Sequence, residues 1–182
     1  MKCFWRRGYA ATSMKQLEAA TELTTGSLYN SFGNKDGLFR AALQHYIDTV
    51  VAVRIERYLM SGPPRAGILA FVREGLERGS RRLGSGCLLV NSLVEAPLHS
   101  ATVQETIAHG QRRIDEALEA AVKRGIAKGE LSPGANPRGL ALQLSLAICA
   151  LLLRSRAEDT PGWFEAPMVS VEALLESPAA RS

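Results

Sequence analysis

Apolar side chains recur every three or four residues along most of the chain, the spacing of a helix face, and no run alternates as a half-buried strand does. Met14, Leu17 and Ala20 or Thr21 predict a first short helix, opened by Ser13-Met14-Lys15-Gln16, an S-x-x-Q capping box. Residues 21–24 are long enough only for a turn, and Thr24 is a good N-cap for a second helix over 25–32. In that helix Leu28 and Phe32 stand one turn apart and are expected to point inward with Leu23. Thr25, Gly26, Ser27, Tyr29 and Asn30 form the opposite face, which contains no acid.

Asn34 caps a third, longer helix carrying Leu38, Phe39, Ala42, Leu43, Tyr46, Ile47, Val50 and Val51, extending to 58 or 60, where Ser61-Gly62-Pro63-Pro64 stops it. A helix over 65–83 buries Ile68, Leu69, Phe71, Val72 and Leu76, and 83–86 breaks the chain again. A short apolar helix follows over 87–96, closed by Pro97, then a long one from Ser100 to 128, ended by Gly129. Residues 137–157 form an apolar helix, 163–175 a last one, and 177–182 a flexible tail. The fold expected is all-α, with eight or nine helices: a small head over 1–45 and a helical body over 46–176.

The two short helices and their tight turn read as a helix-turn-helix. A helix that enters a major groove needs a start that can approach closely and side chains that bond phosphates and base edges, and the acid-free face offers both. Charge agrees. Of the formal +4, residues 1–40 hold six basic residues against three acids, and the remainder sixteen against fifteen. The basic excess therefore lies where counterion release from a phosphate backbone would need it.

Gly8-Tyr9, Thr12-Ser13, Leu17, Ala20, Leu23, Gly26-Ser27-Leu28-Tyr29, Phe32, Lys35 and Leu38-Phe39 together resemble the DNA-binding domain of the TetR family of bacterial transcriptional regulators. The resemblance implies a phosphate contact from Thr12 or Ser13, groove contacts from Thr25, Gly26, Ser27, Tyr29 and Asn30, and a phosphate clamp from Lys35. Two positions depart from the family pattern. Only residues 1–7 precede Gly8 where the family has a full helix, with Phe4 and Trp5 resembling its last apolar turn, so about two turns of packing are expected to be missing. Glu22 stands where the family's turn has glycine; a left-handed backbone there costs a non-glycine residue about 1 kcal/mol.

The helix over 140–153 is apolar nearly all round, which requires neighbours on both sides. The family places its last two long helices in a four-helix dimer interface, which implies a homodimer joined through Leu140, Leu144, Ile148, Leu151 and Trp163. The resemblance also implies an effector pocket for a small molecule among the middle helices; its candidate markers are Asn91 and Glu95 (i and i+4 on one helix), His109, Phe71 and Cys87, the alternative being that Asn91 caps or satisfies neighbouring backbone and Glu95 lies at the rim. Cys87 follows Gly84-Ser85-Gly86 at a helix start, which favours the thiolate form and makes an electrophile sensor conceivable, although a buried structural cysteine is the commoner case. Gly86-Cys87-Leu88-Leu89-Val90-Asn91 onward is similar to a stretch in a subgroup of the family, some of whose members respond to reactive small molecules.

Three widely spaced cysteines without C-x-x-C suit a reducing cytoplasm. The apolar run over 139–153 falls short of the roughly 20 residues of a membrane span, and no leader pattern precedes it. His45, His99 and His109 have no metal-site spacing, and neither a nucleophile motif nor a phosphate loop is present, so no enzyme, metal or cofactor is expected. The reading is a cytoplasmic, homodimeric regulator of double-stranded operator DNA, a repressor released by an unknown small-molecule effector. The alternative is a dimeric ligand-binding or interaction module whose shortened first helix has cost it DNA binding.

Overall fold

The computed structural model describes residues 1–81, 86–157, 160 and 162–176, so the expected break at 83–85 and the tail at 177–182 lie outside the described residues. The described residues contain no strand. Helices α1 (Lys2–Arg7), α2 (Met14–Thr21) and α3 (Thr25–Phe32) precede α4 (Lys35–Tyr46). The rod of α4 continues without a break through a π-helical turn (Ile47–Val51), the single turn α5 (Ala52–Arg54) and a second π-helical turn (Ile55–Met60). The body is completed by α6 (Pro64–Arg81), α7 (Leu88–Glu95) with a 3-10 turn at Ala96–Leu98, α8 (Ala101–Ala127), α9 (Pro137–Arg154) and α10 (Glu165–Leu175).

Local signals set most of these bounds. Ser13 accepts from the Gln16 amide at 3.3 Å while the Gln16 side chain accepts from the Ser13 amide at 2.9 Å, a complete capping box. Thr24 accepts from Ser27 N–H at 3.2 Å, and Asn34 from Gly37 N–H at 2.9 Å. Gly37 has to be glycine, because a Cβ there would lie 1.9 Å from the Phe32 carbonyl oxygen; this close approach seats the start of α4 on the end of α3. The π-helical turns were not foreseen. With them the rod turns Ile47, Val51, Arg54 and Leu59 inward.

Phe4 and Trp5 are buried, and the Trp5 indole N–H donates to the Gly86 carbonyl at 2.9 Å, pinning α1 to the chain just before α7. Phe4 lies edge-on to Phe39 with centroids 5.0 Å apart, and Trp5 does the same to Tyr46 at the same distance. Burying two such rings contributes roughly 3–6 kcal/mol, so these six residues already anchor the head. Leu28 is buried as expected, but Leu23 and Phe32 are largely exposed. Leu23 sits in the turn, where helical periodicity does not govern direction, and Phe32 ends α3 just before Gly33 (φ 80) turns the chain away.

The helix α9 alters two expectations. At 18 residues with a mean hydropathy of 1.3 it has the length and composition of a membrane-crossing helix, alone among the described residues, rather than falling short. It packs as a core helix along one side, with Ala141, Leu144, Ser145, Ile148 and Leu152 buried and Ser145 Oγ donating to Asp115 of α8 at 2.6 Å. Its other side is uncovered: Leu142 is 52% exposed and Leu146 63%. It also ends at Arg154, three residues early, where the buried Ser155 hydroxyl donates to the Leu152 carbonyl at 2.7 Å.

Candidate nucleic-acid interface

The outer face of α3 presents Gly26, Ser27, Tyr29 and Asn30 to solvent, Tyr29 with 41% of its surface free. Two anchors fix the face. Thr24 caps the helix, and the Glu18 carboxylate of α2 accepts from both the Thr25 amide and the Thr25 hydroxyl, each at 2.6 Å. Those bonds hold the Glu18 carboxyl below its usual range. They also commit the Thr25 hydroxyl, so Thr25 contributes by setting the start of α3 rather than by a free side chain. The turn between α2 and α3 is Glu22, at φ 60 and ψ 21, the one non-glycine residue with positive φ among those described.

The remaining expected DNA contacts divide. Ser13 is exposed at the head of α2. Thr12 is fully buried, its hydroxyl donating to the Gly8 carbonyl at 2.6 Å, so it braces the loop and has no surface to offer a phosphate; the expectation for Thr12 is corrected. Lys35 is half-buried with its ammonium 4.3 Å above the Tyr9 ring, a cation–π contact that orients it beside the start of α4.

Sequence reading missed the seam that joins the first helices to α7 and α8. Tyr9 and Ala10, in the loop before α2, donate their backbone N–H groups to the two oxygens of Glu95 at 2.8 and 3.0 Å. In the opposite direction Ser100 N–H, at the start of α8, donates to Asp36 of α4 at 2.9 Å. Between these bonds the His99 ring lies parallel to Phe39 at 4.7 Å and edge-on to Tyr9 at 4.4 Å. Burial lowers the His99 pKa, only partly opposed by Asp36 and Glu95. Burial, with the Asp36 carboxylate close by, pushes the Tyr9 phenol up to about 12. Burial alone would raise the Asp36 carboxyl, but Tyr9 and Ser100 outweigh it and hold it below its usual range. A partial signal existed: Asp36 is an acid in a helix first turn, and Gly8 a glycine just before the loop. The partner across the seam is some 86 residues away and is not legible locally.

The expected effector residues are not gathered into one place. Phe71, Cys87 and Asn91 are buried in the body, with the Tyr46 hydroxyl donating to Cys87 Sγ at 3.3 Å and the Arg54 guanidinium 4.3 Å over the Phe71 ring. Burial and the Cys87 thiol push the Tyr46 phenol well up. Glu95 is at the seam instead, and His109 lies on the outer face of α8, because Ile107 and Gly110, three apart on one face, take the inward positions. Two cavities, of about 480 and 550 Å³, lie along α9 and α10 and include none of the five. Among the described residues no group of three His, Cys, Asp or Glu could hold a metal ion.

Of the expected interface residues, Leu144 and Ile148 face the chain's own core, while Leu140, Leu151 and Trp163 are half-buried. Leu144 and Ile148 are therefore corrected. One helix cannot turn the same residues to its own core and to a partner, and the uncovered residues are Leu142, Leu146 and Leu153 of α9 with Val169 of α10.

Residues 1–42 match the family model described as bacterial regulatory proteins, tetR family, and residues 64–168 match the tetracyclin repressor-like, C-terminal domain. The HTH-type transcriptional repressor ComR of Escherichia coli (strain K12) is 28% identical over 158 residues, 86% of this chain and 75% of that one. The uncharacterized HTH-type transcriptional regulator YezE of Bacillus subtilis (strain 168) is 25% identical over 134 residues, covering 72% and 69%. Among solved structures, a cysteine mutant of the TetR family transcriptional regulator CifR complexed with 26bp double-strand operator DNA is 29% identical, with a TM-score of 0.77 over 96% of this chain and 90% of that one. The reduced form of Escherichia coli NemR shares the fold at a TM-score of 0.84 and 23% identity, over 97% and 93%. With both models matched in order along a head and body of this geometry, the chain belongs to the TetR family and is a DNA-binding transcriptional regulator.

Proposed function

We propose that the chain is a cytoplasmic, homodimeric repressor that leaves its operator when a small organic effector occupies the body, with a reading head over 1–45 and the body over 46–176. The observation that carries the reading is the outer face of α3: Gly26, Ser27, Tyr29 and Asn30 exposed, no acid among them, and the helix start fixed by Thr24 and Glu18. Ser13 and Lys35 flank it as phosphate contacts. The name of ComR supports repression, and the CifR complex supports operator binding by a head of this kind. The uncovered side of α9 and α10 supports dimerisation, which would set two heads about 34 Å apart on successive major-groove turns. Leu142, Leu146 and Val169, exposed on these two helices, would gain by leaving water in a dimer. The effector, placed in the body by resemblance to the family, has to favour the non-DNA geometry by about 1–3 kcal/mol. The alternative of a head without DNA binding gains no support from the packing, given the buried Phe4 and Trp5.

The test is Tyr29→Ala in a binding assay with DNA from upstream of the coding sequence. Because Tyr29 faces out and Leu28 in, the substitution is expected to weaken binding by about 1–3 kcal/mol while leaving the melting temperature unchanged. A variant that melts early, or binds as the parent does, refutes this use of α3.

A further inference from the structure

The seam between head and body is built with more care than a covalent linker needs. Rod α4 already joins the two parts, yet two carboxylates are exchanged across them. Glu95, at the end of α7, accepts two consecutive amides of the loop between α1 and α2. Asp36, in the first turn of α4, accepts the amide of Ser100 at the head of α8. Gly8 is shaped to this contact: its φ is +79, and a Cβ on it would lie 3.0 and 3.1 Å from the Glu95 oxygens. Gln104 donates to the carbonyls of Ala96 and His99 at 3.1 and 2.9 Å, which ties the intervening turn to α8. His99 fills the centre with its side chain fully enclosed. Its Nδ1 and the second Asp36 oxygen are 3.8 Å apart, and neither has a hydrogen-bond partner.

We propose that Glu95 and Asp36 are positioning residues for DNA recognition: by gripping the loop before α2 and the start of α4, they make the place of the α7–α8 connection decide how α3 is presented. The inference rests on the reading of the chain as a DNA-binding regulator and adds the point at which the body acts on the head. The geometry fits the role. Helix α3 packs on α2 and α4; Glu95 holds the loop that leads into α2, and Asp36 sits in the first turn of α4. Helix α7 is short and apolar, with Leu88 to Ser92 buried, so any displacement of the body's interior along its axis arrives at Glu95. A carboxylate accepting two neighbouring N–H groups fixes direction as well as distance, which one bond would not.

The experiment uses the full chain and a duplex selected by the wild-type protein from a random pool, together with the same duplex lengthened or shortened by one base pair at its centre. Glu95→Ala is expected to lose about ten-fold in affinity for the selected duplex, to discriminate poorly between the three spacings, and to keep its weak affinity for random DNA. Glu95→Gln, which retains one acceptor, should recover part of both properties, and Asp36→Asn should behave like it. Equal loss on all duplexes, or an undiminished preference for the original spacing, overturns the proposal; Glu95→Gln carries the same comparison should Glu95→Ala not fold. If the wild-type chain selects no duplex, the regulator reading has failed, and amide exchange decides the grip by itself. Protection of Tyr9 and Ala10 that is lost in Glu95→Ala while the rest of the head stays protected upholds it, and unchanged protection overturns it.

Discussion

Glu22 holds the turn of the helix-turn-helix at φ 60, a region that a residue with a Cβ enters at a cost of about 1 kcal/mol. Its side chain is exposed, in the turn that leads from α2 into α3. Glu22→Gly should therefore raise the stability of the head by up to about 1 kcal/mol, and tighten DNA binding most at low salt; thermal melts and binding at two ionic strengths check both. The position was legible because it rests on turn chemistry alone. His99 was not, since nothing local marks a ring that becomes enclosed by Phe39 and Tyr9. Its pKa in the folded chain lies below the ordinary 6.5, so the folded state binds fewer protons than the unfolded one. The stability is complete above pH 6.5 and is lost as pH falls below it, in the same direction as for Asp36 at lower pH. A melting temperature that declines from pH 7 to 5, with a smaller decline in His99→Phe, is the expected result; a flat profile in the wild type contradicts it. Thr12 shows a different failure. A threonine hydroxyl can bond the carbonyl four residues back as readily as a phosphate, and here it bonds Gly8.

At the scale of elements, α3 begins and ends where its caps dictate, at Thr24 and Gly33, and its exposed, acid-free face followed from composition. Helix α9 was legible as an apolar helix in want of neighbours, but periodicity cannot say which of several leucines a chain keeps for itself. The structure gives Leu144 and Ile148 to the core and leaves Leu142 and Leu146 outside. The two sets answer differently to charge. Leu146→Asp should produce a folded monomer, measured by sedimentation, with weakened operator binding. Leu144→Asp should unfold the body, because it buries an unpaired carboxylate. A dimeric Leu146→Asp places the interface elsewhere. The π-helical turns at Ile47–Val51 and Ile55–Met60 had no forerunner in the sequence, for an α and a π turn draw on the same residue types.

For the whole molecule the organising fact is an uneven one. Most of the net charge lies in residues 1–40, while the remainder is nearly balanced and carries the long apolar helices. A basic head on a neutral body is what a protein needs if phosphate draws it to DNA and something else decides when it leaves. The division into head and body was readable from the chain, and so was the family. The seam that joins them was not, because it is made of residues some 64 to 86 positions apart whose separate patterns are ordinary. The most direct test of the account is the salt dependence of binding to a duplex from the upstream region, for the wild type and for Lys35→Ala. A steep fall of affinity with salt is expected, with the log–log slope reduced by about one unit per bound protomer in Lys35→Ala. Binding that is indifferent to salt, or absent on every duplex, would contradict the account at its centre.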